Sequence, residues 1–141
     1  MELVFLDANV LFSAAYKPTS RLRTLWTLPD VTLLSSPYAV AEAELNLAKE
    51  RPQAVMELQA LLRKVMVAMT QDAGALPEEI TLVEKDTPIL LAAISAKATH
   101  LLTGDKLHFG HLFNTYVEGV LVLPPAAYLN KQSERKDLAK D

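Results

Sequence analysis

Leu3-Val4-Phe5-Leu6-Asp7-Ala8-Asn9-Val10-Leu11 is the stretch on which the reading of the fold turns. Val4–Leu6 has the length and composition of a short buried strand. Asn9–Tyr16 is apolar and alanine-rich, so a helix begins directly after Asp7 and ends before Pro18. A strand that passes at once into a helix is the start of a strand–helix–strand unit, and the same alternation can be followed down the chain.

Arg21–Leu28 resumes as a second helix with Leu22, Leu25 and Trp26 on one side. Pro29-Asp30 marks a turn and Val31–Leu34 a second strand. Ser35-Ser36-Pro37 is a helix start, with serine as cap and proline in the first turn. That helix runs to about Glu50, and Pro52 restarts a long one through about Val65, apolar at Val55, Leu58, Leu61 and Leu62. Asp72–Pro77 reads as a loop, Ile80–Val83 as a third strand and Asp86–Ala98 as a helix. His100–Leu102 is a strand ending in the turn Thr103-Gly104-Asp105, and Lys106–Asn114 is irregular with a short helix. Val120–Leu123 is the last strand, and Pro124-Pro125 opens a short helix to about Leu129. Parallel strands need a helical crossover between them, so this order implies an α/β domain with a mostly parallel sheet and helices on both faces. The expected organisation is one domain over residues 1–130 and a charged, solvated or disordered tail over 131–141.

Composition narrows the class. A chain of 141 residues, 50% hydrophobic and 22% charged, can bury a substantial core. It contains no cysteine, which excludes disulfides and thiolate metal sites. The first residues carry no basic region and meet an acid after four apolar positions, unlike a signal peptide. The apolar runs are too short to span a bilayer. A cytoplasmic protein without a membrane partner is expected. Net charge is −3, and without the last eleven residues ten basic groups face fourteen acidic ones. That balance disfavours a simple phosphate-binding module. It disfavours less an enzyme whose acids meet their substrate through bound cations.

Asp7 and Asp105 fall at the carboxyl ends of strands, and Asp86 lies just past a third. Ligands of open α/β sheets bind at that rim. Each aspartate also suits a helix cap or a turn. Together they repel one another, raising one another's pKa unless a cation intervenes. Oxygen ligands without cysteine suit magnesium or manganese. On the helix after Pro37, Glu42 and Glu44 are both candidates for a fourth acid, and helix geometry does not separate them.

Leu6-Asp7-Ala8-Asn9-Val10-Leu11, then Ser36-Pro37-Tyr38 through Glu42 to Leu47, then Asp86-Thr87-Pro88-Ile89-Leu90, then Leu102-Thr103-Gly104-Asp105-Lys106-Leu107-His108-Phe109 resembles the PIN-domain family over roughly residues 1–129. The resemblance implies a three-layer α/β/α sandwich with a mostly parallel central sheet of about five strands. It implies a Mg²⁺- or Mn²⁺-dependent ribonuclease whose acidic quartet falls on Asp7, Glu42, Asp86 and Asp105, and it is the resemblance that selects Glu42 over Glu44. Asn9 and Thr103 are implied as polar supports of the site. Cleavage leaving 5′-phosphate and 3′-hydroxyl ends follows, with the ion activating water and stabilising charge on the phosphate oxygens. The family includes the toxins of VapBC toxin–antitoxin pairs, so a cognate antitoxin and a homodimer are implied partners beside RNA. Many PIN toxins carry a further acid shortly after the last aspartate; here those positions are Lys106, Leu107 and His108. Lys106, His108, Arg21 and Arg23 are candidate RNA contacts, whereas Trp26 and Phe12 read as core. The competing readings are a catalytically weak PIN-like module that binds RNA or protein, and a phosphotransferase using Asp7 as nucleophile. The second normally needs an acid two residues on, where this chain has Asn9.

Overall fold

The computed structural model describes residues 1–68 and 75–140, with side chains described as far as residue 136. The elements run β1 (Glu2–Leu6), α1 (Ala8–Tyr16), β2 (Val31–Ser35), α2 (Pro37–Glu50), α3 (Val55–Leu62), β3 (Val65–Val67), α4 (Thr87–Ser95), β4 (His100–Leu102), α5 (Lys106–Phe109), β5 (Tyr116–Val117), β6 (Val120–Leu123) and α6 (Pro125–Lys140). Six strands form one sheet in the order β3-β2-β1-β4-β6-β5. All pairs are parallel except β5 with β6. This is the α/β architecture expected from the strand–helix alternation, with one strand more.

Central strands of such a sheet are covered on both faces and therefore carry consecutive apolar residues. Val4, Phe5 and Leu6 are fully buried, as are Leu101 and Leu102 beside them in β4 and Val122 and Leu123 beyond. The chain winds from β1 outward through β2 to β3, then returns to the other side of β1 for β4 and β6. Right-handed crossovers in opposite directions place the connecting helices on the two faces of the sheet. The reversal lies between β1 and β4, where Leu6 pairs with Leu102. Asp7 and Thr103 follow immediately, with the Asp7 amide donating to the Leu102 carbonyl at 3.1 Å. The connections leave the two strands toward opposite sides there, which leaves a crevice at their carboxyl ends.

Several elements differ from the sequence reading. Arg21–Thr27 is a 3₁₀ helix, and the long helix after Pro52 stops at Leu62, so that Val65-Met66-Val67 becomes β3 beside β2. The third strand expected over Ile80–Val83 is absent. Ile80 and Leu82 still pack on the core, but as a connection ending in the 3₁₀ turn Glu84–Asp86. The alternation of that segment reports half-burial, which an irregular segment lying on a core also satisfies. β5 carries no clear sequence signal, because its two-residue hairpin loop is Glu118-Gly119. Both residues hold positive φ, at 48° and 85°, and glutamate is not a residue that signals such a turn. The loop expected over Asp72–Pro77 lies in part outside the described residues.

The last helix is longer than its sequence suggests. α6 does not end near Leu129 but continues to Lys140. Its first half is anchored on Glu2, whose Oε1 accepts from the Tyr128 hydroxyl at 2.5 Å and from Gln132 Nε2 at 2.8 Å. Arg135 Nη1 reaches Glu2 Oε2 at 3.3 Å. The mixed charges of this segment suggest solvation, but the acid that Gln132 and Arg135 contact stands at the opposite end of the chain. No helix among the described residues is long and apolar enough to cross a membrane.

Candidate metal centre

The crevice at the winding reversal is a cleft of about 630 Å³ lined by Asp7, Glu42, Asp86 and Asp105, with Asn9, Asn46, Glu50 and Lys85 among its other polar walls. All four acids singled out in the sequence thus face one cavity, each carried there by a different element.

Asp7 caps α1 and is only 4% exposed. Its Oδ1 accepts from the Ala8 amide at 2.6 Å. Its Oδ2 accepts from Asn9 Nδ2 at 3.0 Å and from the Thr103 hydroxyl at 2.8 Å. Thr103 Oγ1 in turn accepts from Asn9 Nδ2 at 3.1 Å and from the Asp105 amide at 3.1 Å. Asn9 Oδ1 accepts from the Gly104 amide at 2.7 Å. A Cβ at Gly104 would stand 3.3 Å from that oxygen, so glycine lets the turn close on the amide. Asn9 and Thr103 therefore tie β1 to the turn after β4 and fix Asp7 and Asp105 relative to each other. Burial pushes the Asp7 carboxyl up to about 6; the Thr103 and Ala8 hydrogen bonds oppose that shift, and the nearby Asp86 and Glu42 charges add to it.

Asp86 closes the 3₁₀ turn before α4 and is 9% exposed. The turn is braced from α2, where the Tyr38 hydroxyl donates to the Lys85 carbonyl at 2.9 Å. The Asp86 pKa is raised, by burial first and by Asp105, against the opposing influence of His108 and Lys85. Asp105 caps α5 by accepting the His108 amide at Oδ1, 3.1 Å away. His108 Nδ1 then lies 2.8 Å from Asp105 Oδ2 and 2.9 Å from Asp86 Oδ2. Among the described residues, Asp86, Asp105 and His108 form a group whose ligand atoms all lie within 4.8 Å of one another. Asp7 and Glu42 line the same cleft without joining this tightest group.

Glu42 is exposed on the cleft side of α2, and Asn46 and Glu50 continue its stripe at one-turn intervals. Glu44 does not line the cleft. That stripe, beside the buried Ala39, Ala43 and Leu47, was a signal available in the sequence but not used. Lys85 also stands in the cleft wall, with no local sequence pattern that marks it. Phe12, read as core, is a half-buried wall of the cleft. Trp26 is held by its indole N–H donating to the Leu61 carbonyl at 3.0 Å. Of the basic candidates, Lys106 is exposed beside Asp105. Arg21 and Arg23 are not brought to the cleft. Arg21 donates to Asn130 Oδ1 at 2.8 Å. Arg23 donates to the Ala14 carbonyl at 2.8 Å and pairs with Glu57 at 3.2 Å.

Fold and cleft together define an α/β protein with an acidic site, suited to a cation, at the carboxyl rim of a mostly parallel sheet. A family model described as PIN domain matches residues 3–107, and the chain belongs to that family. Similar solved structures include VapBC2 from Rickettsia felis bound to a DNA fragment from their promoter, with TM-score 0.67, 18% identity and 86% of this chain and 98% of that one covered. VapC20 from Mycobacterium tuberculosis, described as a sarcin-ricin loop cleaving toxin, aligns with TM-score 0.55 and 13% identity over 72% of this chain and 91% of that one. VapBC-1 from nontypeable Haemophilus influenzae aligns with TM-score 0.54 and 15% identity over 88% and 98% respectively. These likenesses establish the PIN-like fold. No curated protein matches the chain in sequence.

Proposed function

We propose that this protein is an endoribonuclease that hydrolyses RNA phosphodiester bonds with Mg²⁺ or Mn²⁺, acting in the cytoplasm as the toxin of a toxin–antitoxin pair. The observation that carries the reading is the meeting of Asp7, Glu42, Asp86 and Asp105 in one cleft at the winding reversal of a PIN-domain chain. The donor set fits a divalent ion. Asp86 Oδ2 and His108 Nδ1 are buried without a hydrogen-bond partner, and buried polar atoms are otherwise paired. When bound, such an ion lowers the pKa of water and offsets the charge that develops on phosphate oxygens.

The chain's own groups do the rest. Asp86 and Asp105 hold the ion, with Asp7 and Glu42 supplying further negative charge around it. Asn9 and Thr103 keep Asp7 and Asp105 in register. Lys85 and Lys106 stand where a phosphate backbone can be drawn to an otherwise acidic cleft. Phe12 gives one apolar wall against which a base can rest. No protein nucleophile takes part. The toxin assignment draws on neighbours whose names are VapC and VapBC; an antitoxin and a second copy of the chain are the partners that go with it.

The test is cleavage of a mixed RNA pool in EDTA, Mg²⁺ and Mn²⁺ by the wild type and by Asp7→Asn and Asp105→Asn. Metal-dependent cleavage lost in both variants is the expected result. Equal cleavage by all three proteins, or none under any metal, overturns the nuclease reading; RNA retention without cleavage leaves the binding module in its place.

A further inference from the structure

The side chain that follows the last aspartate by one helical turn stands at contact distance from two carboxylates of the cleft at once. His108 Nδ1 is placed between two carboxylate oxygens, 2.8 Å from Asp105 Oδ2 and 2.9 Å from Asp86 Oδ2. One ring nitrogen carries at most one proton, which cannot point along the line to both oxygens at once. Neither approach is a well-aligned hydrogen bond, and both His108 Nδ1 and Asp86 Oδ2 are left buried and unpartnered, on an aspartate only 9% exposed. The other oxygen of Asp105 is already committed, capping α5 through the His108 amide at 3.1 Å. That cap holds the His108 backbone and the Asp105 carboxylate as one rigid unit.

Three donor atoms arranged in this way have the spacing of ligands around an ion. Donors on adjacent vertices of an octahedron with bonds of about 2.1 Å stand about 3 Å apart, which is the separation of Nδ1 from each oxygen. The geometry points to His108 as a direct nitrogen ligand, through Nδ1, to a divalent ion shared with Asp86 and Asp105. The inference rests on the reading of this cleft as a divalent-cation site and adds the identity of a ligand and its consequence for which ion is preferred. Magnesium takes oxygen donors and holds its waters tightly, whereas first-row transition ions accept imidazole readily. A site with one imidazole and two carboxylates therefore favours manganese over magnesium relative to an all-oxygen site.

Pulsed EPR of the intact protein loaded with Mn²⁺ reads the ligand directly, because a bound ¹⁴N modulates the electron spin echo. The wild type should show that modulation, and it should vanish in His108→Gln and His108→Asp. The chain's other histidines do not line the cleft: His100 stands 3.9 Å from Glu2, and His111 Nε2 lies 2.7 Å from the Thr81 carbonyl. Mn²⁺ affinity, followed by loss of the free-ion signal, should fall about 10- to 100-fold in His108→Gln, at least the loss seen when an outer-shell partner is removed. Mg²⁺ affinity should change less in that variant and be kept in His108→Asp. If a variant does not fold by circular dichroism, ¹⁵N-histidine labelling of the wild type decides alone, since the modulation must change with the isotope. Mn²⁺ bound without histidine modulation overturns the nitrogen ligand and leaves the cation site standing. Failure of the wild type to bind Mn²⁺, or binding indifferent to Asp86→Asn and Asp105→Asn, overturns the cation site itself and the ligand with it.

Discussion

Replacing Asp7 with asparagine should make the metal-free protein more stable at neutral pH while abolishing cleavage. Burial, reinforced by Asp86 and Glu42, lifts the Asp7 pKa from 3.8 to about 6. At 1.36 kcal/mol per pKa unit, that gap is about 3 kcal/mol. The sign follows from proton binding: the folded state holds the proton more tightly than the unfolded chain. Ionised Asp7 therefore destabilises the fold at pH 7, and the cost shrinks as the pH falls through 6 and is gone below about 4. Asparagine carries no charge and is as good a helix cap. Its amide would, however, face the donors of Asn9 and Thr103, returning about 1 kcal/mol. In EDTA at pH 7 the variant should thus gain about 2 kcal/mol, and by pH 5 the advantage should shrink by about 1 kcal/mol. Urea unfolding at both pH values can be followed by the single tryptophan, Trp26, which is hydrogen-bonded to the Leu61 carbonyl. A variant less stable than wild type at pH 7, or a difference that does not vary with pH, refutes this account of Asp7.

Four further perturbations separate the roles of particular residues. Glu42→Gln should lower metal-dependent cleavage by about tenfold or more, the scale of losing a carboxylate that supports a metal site. Glu44→Gln should leave cleavage unchanged and stability within about 0.5 kcal/mol in the same RNA and urea assays. Tyr128→Phe removes the hydroxyl that donates to Glu2 and should cost about 1–2 kcal/mol in urea unfolding, with no change in cleavage. Truncation after Asn130 deletes Gln132 and Arg135 and should cost about 1–2 kcal/mol, whereas a detached tail would cost nothing.

How far the fold could be read depended on how each element is specified. β1, β2, β4 and β6 are bounded apolar runs buried on both faces, so composition alone marks them. β3 is three residues of which only Val65 is buried, and it directly follows a helix. Nothing local separates it from a continuation of that helix. β5 has two residues and depends on the left-handed backbone of Glu118. At the site, Asp7 and Asp105 were legible because strand ends and helix caps have sequence signatures, whereas Asp86 closes a 3₁₀ turn with no strand before it and its side chain makes no cap hydrogen bond. Glu42 needed either the family pattern or attention to Asn46 and Glu50 on the same stripe. The position of His108 between Asp86 and Asp105 was not legible. It depends on a cap hydrogen bond within a four-residue helix and on an aspartate 22 positions earlier in the chain. Arg21 and Arg23 show the converse: charge near the first helix suggested RNA, while partners on α6, α1 and α3 take up both side chains.

β1 carries opposite conditions at its two ends. At the amino end, Glu2 is satisfied by Tyr128, Gln132 and Arg135, three side chains of the last helix. At the carboxyl end, Asp7 is buried among like charges, and its hydrogen bonds offset only part of what burial costs it. The strand is thus stabilised where nothing reacts and destabilised where the cleft opens. A cation that binds only the folded state recovers stability at the second end in proportion to the logarithm of its concentration over its dissociation constant. It follows that substitutions at Glu2 and Tyr128 should move stability equally with and without metal. Those at Asp7, Asp86 and Asp105 should change how much metal stabilises the protein. A protein whose metal-induced stabilisation is altered as strongly by Tyr128→Phe as by Asp105→Asn would not have its cation site at this rim.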